Sequence, residues 1–327
     1  MSRQSGVSLV ELMIAMMLGV FLMFALVEIL INGKQTFGSA NHLSRIQENG
    51  RIATNLLITD LKRAGYMGGN SNIQDIYGTE GQVTPPTISC ATGDTTWGRM
   101  ISQPVLGLND TNAGYACITN DQYLRGDVLT VRNAMPWIED SDVDGLLTAP
   151  DANRLYLRSS LFQGKVFRGG DHNNLDNKID DLQGQKNVRE LQAHSYFVGD
   201  SERSCGGNAI PSLFRVSLDQ NGLPEVNELL PGVENLQVQY RIGTDSDEED
   251  EDDVIDQYEY VNADEIDWIN DGATVSTVRI WLLVRAECSE TGYVDNTTYT
   301  MGDPDQVFIA ADNFRRQLYS SVVMIRN

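Results

Sequence analysis

VSLVELMIAMMLGVFLMFALVEILI, residues Val7 to Ile31, is a run of 25 residues whose only polar side chains are Ser8, Glu11 and Glu28. As a helix rising about 1.5 Å per residue it spans roughly 37 Å, against about 30 Å for the hydrocarbon core of a bilayer. A secretory signal peptide has an apolar stretch of only about 7–15 residues, followed at once by a small-x-small cleavage site. Here the run is longer, and the nearest such triplet, Gly38-Ser39-Ala40, lies well past its end. The segment is expected to be retained, with Arg3 in the polar lead Met1–Gly6 holding the N-terminus on the cytoplasmic side.

Glu11 does not belong in a plain anchor. A carboxylate inside an apolar segment costs free energy unless it lies near the interface or meets a partner. Two readings stand open. Ser8-x-x-Glu11 has the spacing of a capping box, which satisfies free N–H groups at a helix start. Alternatively, Glu11 meets a positive charge supplied by another molecule.

Beyond Ile31 the helix is expected to continue. Apolar residues at Ile46, Ala53, Leu57, Leu61 and Ala64 recur at steps of three, four and seven, with Gln47, Asn55, Asp60 and Lys62 as polar positions between them. That is an amphipathic helix lying on a domain. Gly65 and the pair Gly68-Gly69 end it. From Val7 to Ala64 it would measure roughly 87 Å. Gly33, Gly38 and Gly50 weaken it and give it places to bend. After Tyr66 the pattern changes to short strand-like runs between Gly, Asn and Asp clusters. These are Asp127–Arg132, Arg154–Arg158, Ser195–Val198, Leu213–Leu218, Leu236–Ile242, Val278–Arg285 and Leu318–Ile325. Neither an internal repeat nor a domain linker stands out.

Gly6 followed by VSLVELMIAMMLG resembles the signal of type IV prepilins: a Gly, a hydrophobic residue, and a Glu four further on. Further segments resemble the PilW-type minor pilins of the type IV pilus: RIQENGRIATNLLITDLKRAGYMGG, PSLFRV, LLPGVENLQVQY, VRIWLLVR and the terminal RRQLYSSVVMIRN. The resemblance implies an α+β, type IV pilin-like fold, a long N-terminal hydrophobic helix packed on a mostly antiparallel β-sheet globular domain. It implies a cleaved leader (1–6), a transmembrane and filament-core helix (7–31), its amphipathic continuation (32–66) and a β-rich periplasmic domain (67–327) with an acidic loop near 244–256. A prepilin peptidase would cut between Gly6 and Val7 and methylate Val7. Glu11 would pair with the terminal amine of a neighbouring subunit. The implied partners are other minor pilins, pilin helices, the inner membrane and a large PilY-type tip adhesin. The implied task is structural: priming pilus assembly, with a place at the tip, in support of twitching, adhesion or DNA uptake. Two features depart from the family pattern. Val7 replaces the commoner Phe, and Glu28 stands where major pilins often carry Pro, the first Pro here being Pro85.

The formal net charge of −22 disfavours direct nucleic-acid binding, because an acidic surface repels phosphates. Four cysteines, Cys90, Cys117, Cys205 and Cys288, form no C-x-x-C pair. They fit two disulfides in an oxidising compartment, with four buried thiols in a cytosolic protein as the other reading. Three connectivities exist. Cys90–Cys117 with Cys205–Cys288 is favoured, because the first closes a short Gly/Thr/Asn-rich loop, worth roughly 3–4 kcal/mol.

Asp140, Asp142 and Asp144, followed by Gly145 and Asp151, resemble a calcium loop, in which alternate acids converge on a hard cation. Asp151 fills the closing position normally held by Glu, beside an unusual Pro150. The other reading is a solvated acidic turn. Calcium is thus the one candidate cofactor. The run Asp245–Asp253 reads as a solvated, self-repelling loop, and Asp171–Asp181 as a weaker polar cluster.

No P-loop, G-x-S-x-G or H-E-x-x-H is present, so no enzyme is expected. His42, His172 and His194 stand in unrelated places, and on a strand His194 and Ser195 would face opposite ways. Two alternatives to the pilus reading are a J-type pseudopilin of type II secretion and a membrane-anchored periplasmic enzyme or calcium-dependent module. Calorimetric titration of a fragment lacking residues 1–31 checks the calcium reading. Heat at or below millimolar calcium is its expected outcome, and none ends it.

Overall fold

The computed structural model describes residues 6, 8–70, 72–79, 96–139, 150–174, 187–244, 257–269, 275–302 and 306–325. Helix α1 runs unbroken from Leu9 to Arg63. Its residues fall into two compact units, one reaching Arg45 and the other starting at Ile46. In the first unit the apolar side chains from Leu9 to Ile31 are exposed on every side of the helix. In the second unit α1 ends where expected. Gly65 takes a left-handed φ of 76°, which glycine adopts without a Cβ penalty. Its N–H donates to Arg132 O at 3.0 Å, and Tyr66 O accepts from Ala134 N at 2.7 Å. The chain leaving the helix is thereby stitched to a strand.

The second unit is built from strands. They are β1 (Ile76–Tyr77), β2 (Val105–Leu108), β3 (Tyr123–Ala134), β4 (Leu155–Ser159), β5 (Gly164–Arg168), β6 (Asn187–Cys205) and β7 (Asn208–Leu218). Then follow β8 (Pro224–Pro231), β9 (Val233–Thr244), β10 (Gln257–Val261), β11 (Thr277–Arg285), β12 (Thr298–Thr300), β13 (Val307–Ile309) and β14 (Arg316–Met324). All seven predicted segments fall on β3, β4, β6, β7, β9, β11 and β14, none overrunning its strand by more than a residue, although β3, β6, β7 and β9 extend several residues beyond them. One sheet has the order β1-β5-β4-β6-β3-β2. The long β6 pairs with β4 through Asn187–Glu190, and further along the same edge with β7, to which β8 is added. A second sheet has the order β10-β9-β11-β14, and β12 with β13 makes a ribbon. Only β1 with β5 is parallel among the described strand pairs, so the fold is α+β and mostly antiparallel, as expected. The Cys205–Cys288 disulfide ties the end of β6 to the segment after β11, and so links the two sheets.

Ile46, Ala53, Leu57, Leu61 and Ala64, the predicted apolar stripe, are all 0–1 % exposed. They share one core with Val128, Phe197, Leu236, Val238, Tyr240 and Leu282. Burying each large aliphatic side chain of this kind contributes about 1.5–3 kcal/mol. Gly50 sits on the same face for a steric reason. A Cβ there would lie 2.2 Å from the Tyr319 ring of β14, whose hydroxyl donates to Ile46 O at 3.2 Å.

Asp60 corrects the sequence reading. Grouped with the polar positions of the helix, it is instead only 8 % exposed. The reason is its spacing: three residues after Leu57 and four before Ala64, it shares their face. Its Oδ2 lies 2.6 Å from His194 Nδ1 and accepts from Tyr196 Oη at 2.5 Å. His194 and Tyr196 are two residues apart on β6, so both point at the helix, while Ser195 points away and lies 2.5 Å from Thr130 Oγ1. Burial pushes the Asp60 carboxyl up. The His194 hydrogen bond and charge and the Tyr196 hydroxyl outweigh it and hold the carboxyl below its ordinary value. A greasy stripe can slide along a sheet; a buried carboxylate with two fixed donors cannot.

Two variants test this docking. Gly50→Leu should displace Tyr319 and destabilise the domain by about 1–3 kcal/mol, read by thermal unfolding of the detergent-solubilised chain. Asp60→Ala leaves His194 and Tyr196 buried without their acceptor and should cost roughly 3 kcal/mol. The sign of the pH effect follows from the depressed pKa. The Asp60 contribution is present above its ordinary value of 3.8 and lost as pH falls through the lower folded value. Asp60→Asn should therefore flatten the acid limb of a stability–pH profile.

Candidate functional site

Helix formation begins immediately after the candidate processing point. Gly6 is exposed and Val7 lies outside the described residues. Leu9 is the first residue of α1, with Leu12 N donating to Ser8 O at 3.1 Å. Ser8 therefore stands at the cap and Glu11 at the third helical position. A carboxylate is favoured there, because the first-turn N–H groups and the helix dipole present positive charge. Both sequence readings of Glu11 place it at this spot. Around it the helix offers only hydrocarbon: Leu9, Val10, Leu12, Met13 and Ile14 are all more than half exposed. α1 is the one helix among the described residues long and apolar enough to cross a membrane. The arrangement is a greasy rod with a single acid near its N-terminal end and a second, Glu28, toward the end of the apolar run.

The remaining predicted positions are scattered. Cys205 pairs with Cys288, as favoured. Cys117 is disulfide-bonded, and Cys90 lies outside the described residues. Asp140, Asp142 and Asp144 also lie outside them, as do most of Asp171–Asp181 and the whole run Asp245–Asp253. Asp151 is described. Its carboxylate lies 3.4 Å from Arg154 Nε and accepts from Asn153 N at 3.3 Å. Among the described residues no group of three or more His, Cys, Asp or Glu side chains is placed to hold a metal. His172 Nδ1 lies 3.0 Å from Gly169 O, and His42 is exposed on α1. A polar recess over β6 and β7 is lined by Arg154, Glu190, His194 and Arg215, among others. Three of these side chains are already engaged, Arg154 Nη1 with both Glu190 oxygens at 2.9 and 3.0 Å and His194 with Asp60.

Sequence reasoning missed two charged clusters. Besides Asp60–His194–Tyr196, Arg316 at the start of β14 is nearly fully buried. It reaches Glu234 of β9 and Asp312 at 2.6 Å each and Asp295 at 3.4 Å. Burial opposes its charge, but the Asp312 and Glu234 carboxylates outweigh this and hold it protonated. Asp60 was recoverable from the helical period. The Arg316 partners come from separate turns and had no local signal.

Comparison with known families fits this geometry. Residues 195–327 match the family described as PilW, Type IV Pilus-assembly protein W. The match opens on β6 beside His194 and takes in β7 to β14, with the Cys205–Cys288 bridge and the Arg316 cluster. Residues 1–27 match the prokaryotic N-terminal methylation motif. No curated protein and no solved structure matches the chain. With the methylation motif heading its apolar helix and the PilW region over its C-terminal strands, the chain carries the two regions typical of type IV minor pilins.

Proposed function

We propose that this chain is a minor pilin that joins other minor pilins in a complex priming type IV pilus assembly, with a place at the filament tip. The observation that carries the reading is Glu11, an acid at the head of an apolar helix whose side chains are exposed all round it. In lipid an isolated carboxylate is costly, and a cation on another chain relieves that cost. The cation with the right location is the α-amine freed when the chain is cut between Gly6 and Val7 and methylated on Val7. Pairing Glu11 of one subunit with Val7 of the next sets the stagger at which helices stack. Arg3 keeps the leader cytoplasmic until a prepilin peptidase removes it, and the strand-built unit stands in the periplasm. An oxidising compartment suits the disulfide. The role is structural: force and chemistry come from other components. The PilW description of the matched C-terminal strands favours this over the J-type pseudopilin reading.

Two measurements test the proposal. Mass spectrometry of the native protein should show a chain starting at N-methylated Val7. A chain that retains residues 1–6 overturns the processing and with it the pairing. Glu11→Gln should leave the membrane level of the processed chain unchanged and lower its recovery in sheared pili at least tenfold. Equal recovery overturns the role given to Glu11.

A further inference from the structure

The second sheet ends on β14, and its outer edge differs from every other sheet edge among the described residues. Exposed edges invite pairing with foreign chains, and proteins normally blunt them with brevity, burial, proline, charge or bulges. In this domain β1 is two residues long, and β2 is four residues, all buried. β8 carries Pro224 and Pro231 at its ends, Glu225 and Glu228 within it, and a register shift against β7. β10 is five residues with Glu259 at its centre and a run of acids before it in the sequence. β14 has none of these devices. It runs nine residues, pairs with β11 alone and without a register shift, and from Gln317 to Met324 contains no charge, proline or glycine.

The hydrogen-bond phase shows which groups are free. Ala286 N donates to Arg315 O, and Ile325 N to Ser276 O. In an antiparallel pair, bonded and non-bonded positions alternate. The odd-numbered residues Gln317, Tyr319, Ser321 and Val323 therefore bond to β11. Leu318, Ser320, Val322 and Met324 turn their N–H and C=O groups outward. Ser320, Val322 and Met324 also have exposed side chains, Val322 at 59 % and Met324 at 63 %. The strand is held rigidly for pairing. Arg316 is locked by three carboxylates at one end, and Tyr319 is seated against Gly50 of α1.

We infer that β14 receives an extended segment of a different subunit, which adds a fifth strand to the β10-β9-β11-β14 sheet. The backbone groups select an extended chain rather than a helix. The uncharged edge selects an uncharged segment, with apolar side chains beside Val322 and Met324. A second copy of this chain is disfavoured, since two bodies each carrying −22 repel. The choice of another pilus subunit as donor rests on the assembly role proposed above.

The test uses the full chain in cells. A photo-crosslinking residue at Met324 should give an adduct whose peptide maps to an uncharged stretch of another pilus subunit. The same residue at Glu259 of β10 should give none. Val322→Pro removes an outward N–H without touching a β11 bond, and Ser320→Lys adds an edge charge. Each should reduce the Met324 adduct at least tenfold while the Cys205–Cys288 bridge still forms. Amide exchange at Ser320, Val322 and Met324 should slow at least tenfold in the assembled fraction relative to the isolated chain. Unchanged exchange, an adduct with a second copy, or an adduct indifferent to both variants overturns the inference. Methylation of Val7, measured on the same samples, reports separately on the assembly reading. A methylated chain with no adduct sinks the edge alone.

Discussion

An apolar rod without a partner is the constraint from which the rest of this molecule follows. Each large side chain between Leu9 and Ile31 loses about 1.5–3 kcal/mol when left in water, and they are exposed all round the helix. That sum exceeds the net stability of an ordinary domain, about 5–15 kcal/mol. No rearrangement of the strand-built unit compensates for it. The rod therefore lies in lipid or against other rods. Under the assembly proposed above, the same side chains would pack against their equals, and the acid at Glu11 would distinguish one stagger from another. Hydrocarbon contact is nearly indifferent to sliding, whereas a charge pair in a low dielectric is not.

The same helix meets a second environment further along and solves it differently. From Ile46 to Ala64 only one stripe is apolar, and it is buried on strands. Here a carboxylate removes the freedom to slide. Asp60 fits between His194 and Tyr196, and Gly50 leaves room for Tyr319. Both stretches of α1 thus combine a non-directional apolar surface with one carboxylate. At Glu11 the implied counter-charge belongs to another chain. At Asp60 the partners are His194 and Tyr196 of β6.

The surface of the domain follows a parallel logic. A net charge of −22 keeps copies of the chain apart and leaves contact to particular places. Inside, cations are matched to acceptors: Arg316 to three carboxylates, and Arg132, fully buried, to the carbonyls of Trp97 and Gln103 at 2.7 Å each. The C-terminal strand begins at one of these anchors and, among the described residues, ends uncharged and unpaired on its outer side. An assembly protein gains from such a division, because repulsion excludes most contacts and a neutral edge admits one.

Much was legible from residues 7–64 alone, since helices write their environment in a local period. Length and hydropathy gave the rod, Glu11 the exception in it, and the three-four spacing of Ile46 to Ala64 the docked face. Strand identity was legible where apolar and polar residues alternated, as in Leu236–Ile242; β2, β5, β8 and β10 were missed, as were the two- and three-residue β1, β12 and β13, which hold too few positions to show a period. The meaning of Asp60 required both levels. Its register put it on the buried face, but only pairing with β6 supplied His194 and Tyr196, which lie 134 and 136 residues away. Strand order, the Arg316 cluster and the open edge of β14 were set by tertiary structure alone. They depend on which strands meet, and such long-range pairings leave no trace in local sequence because the interacting groups become neighbours only when the chain closes.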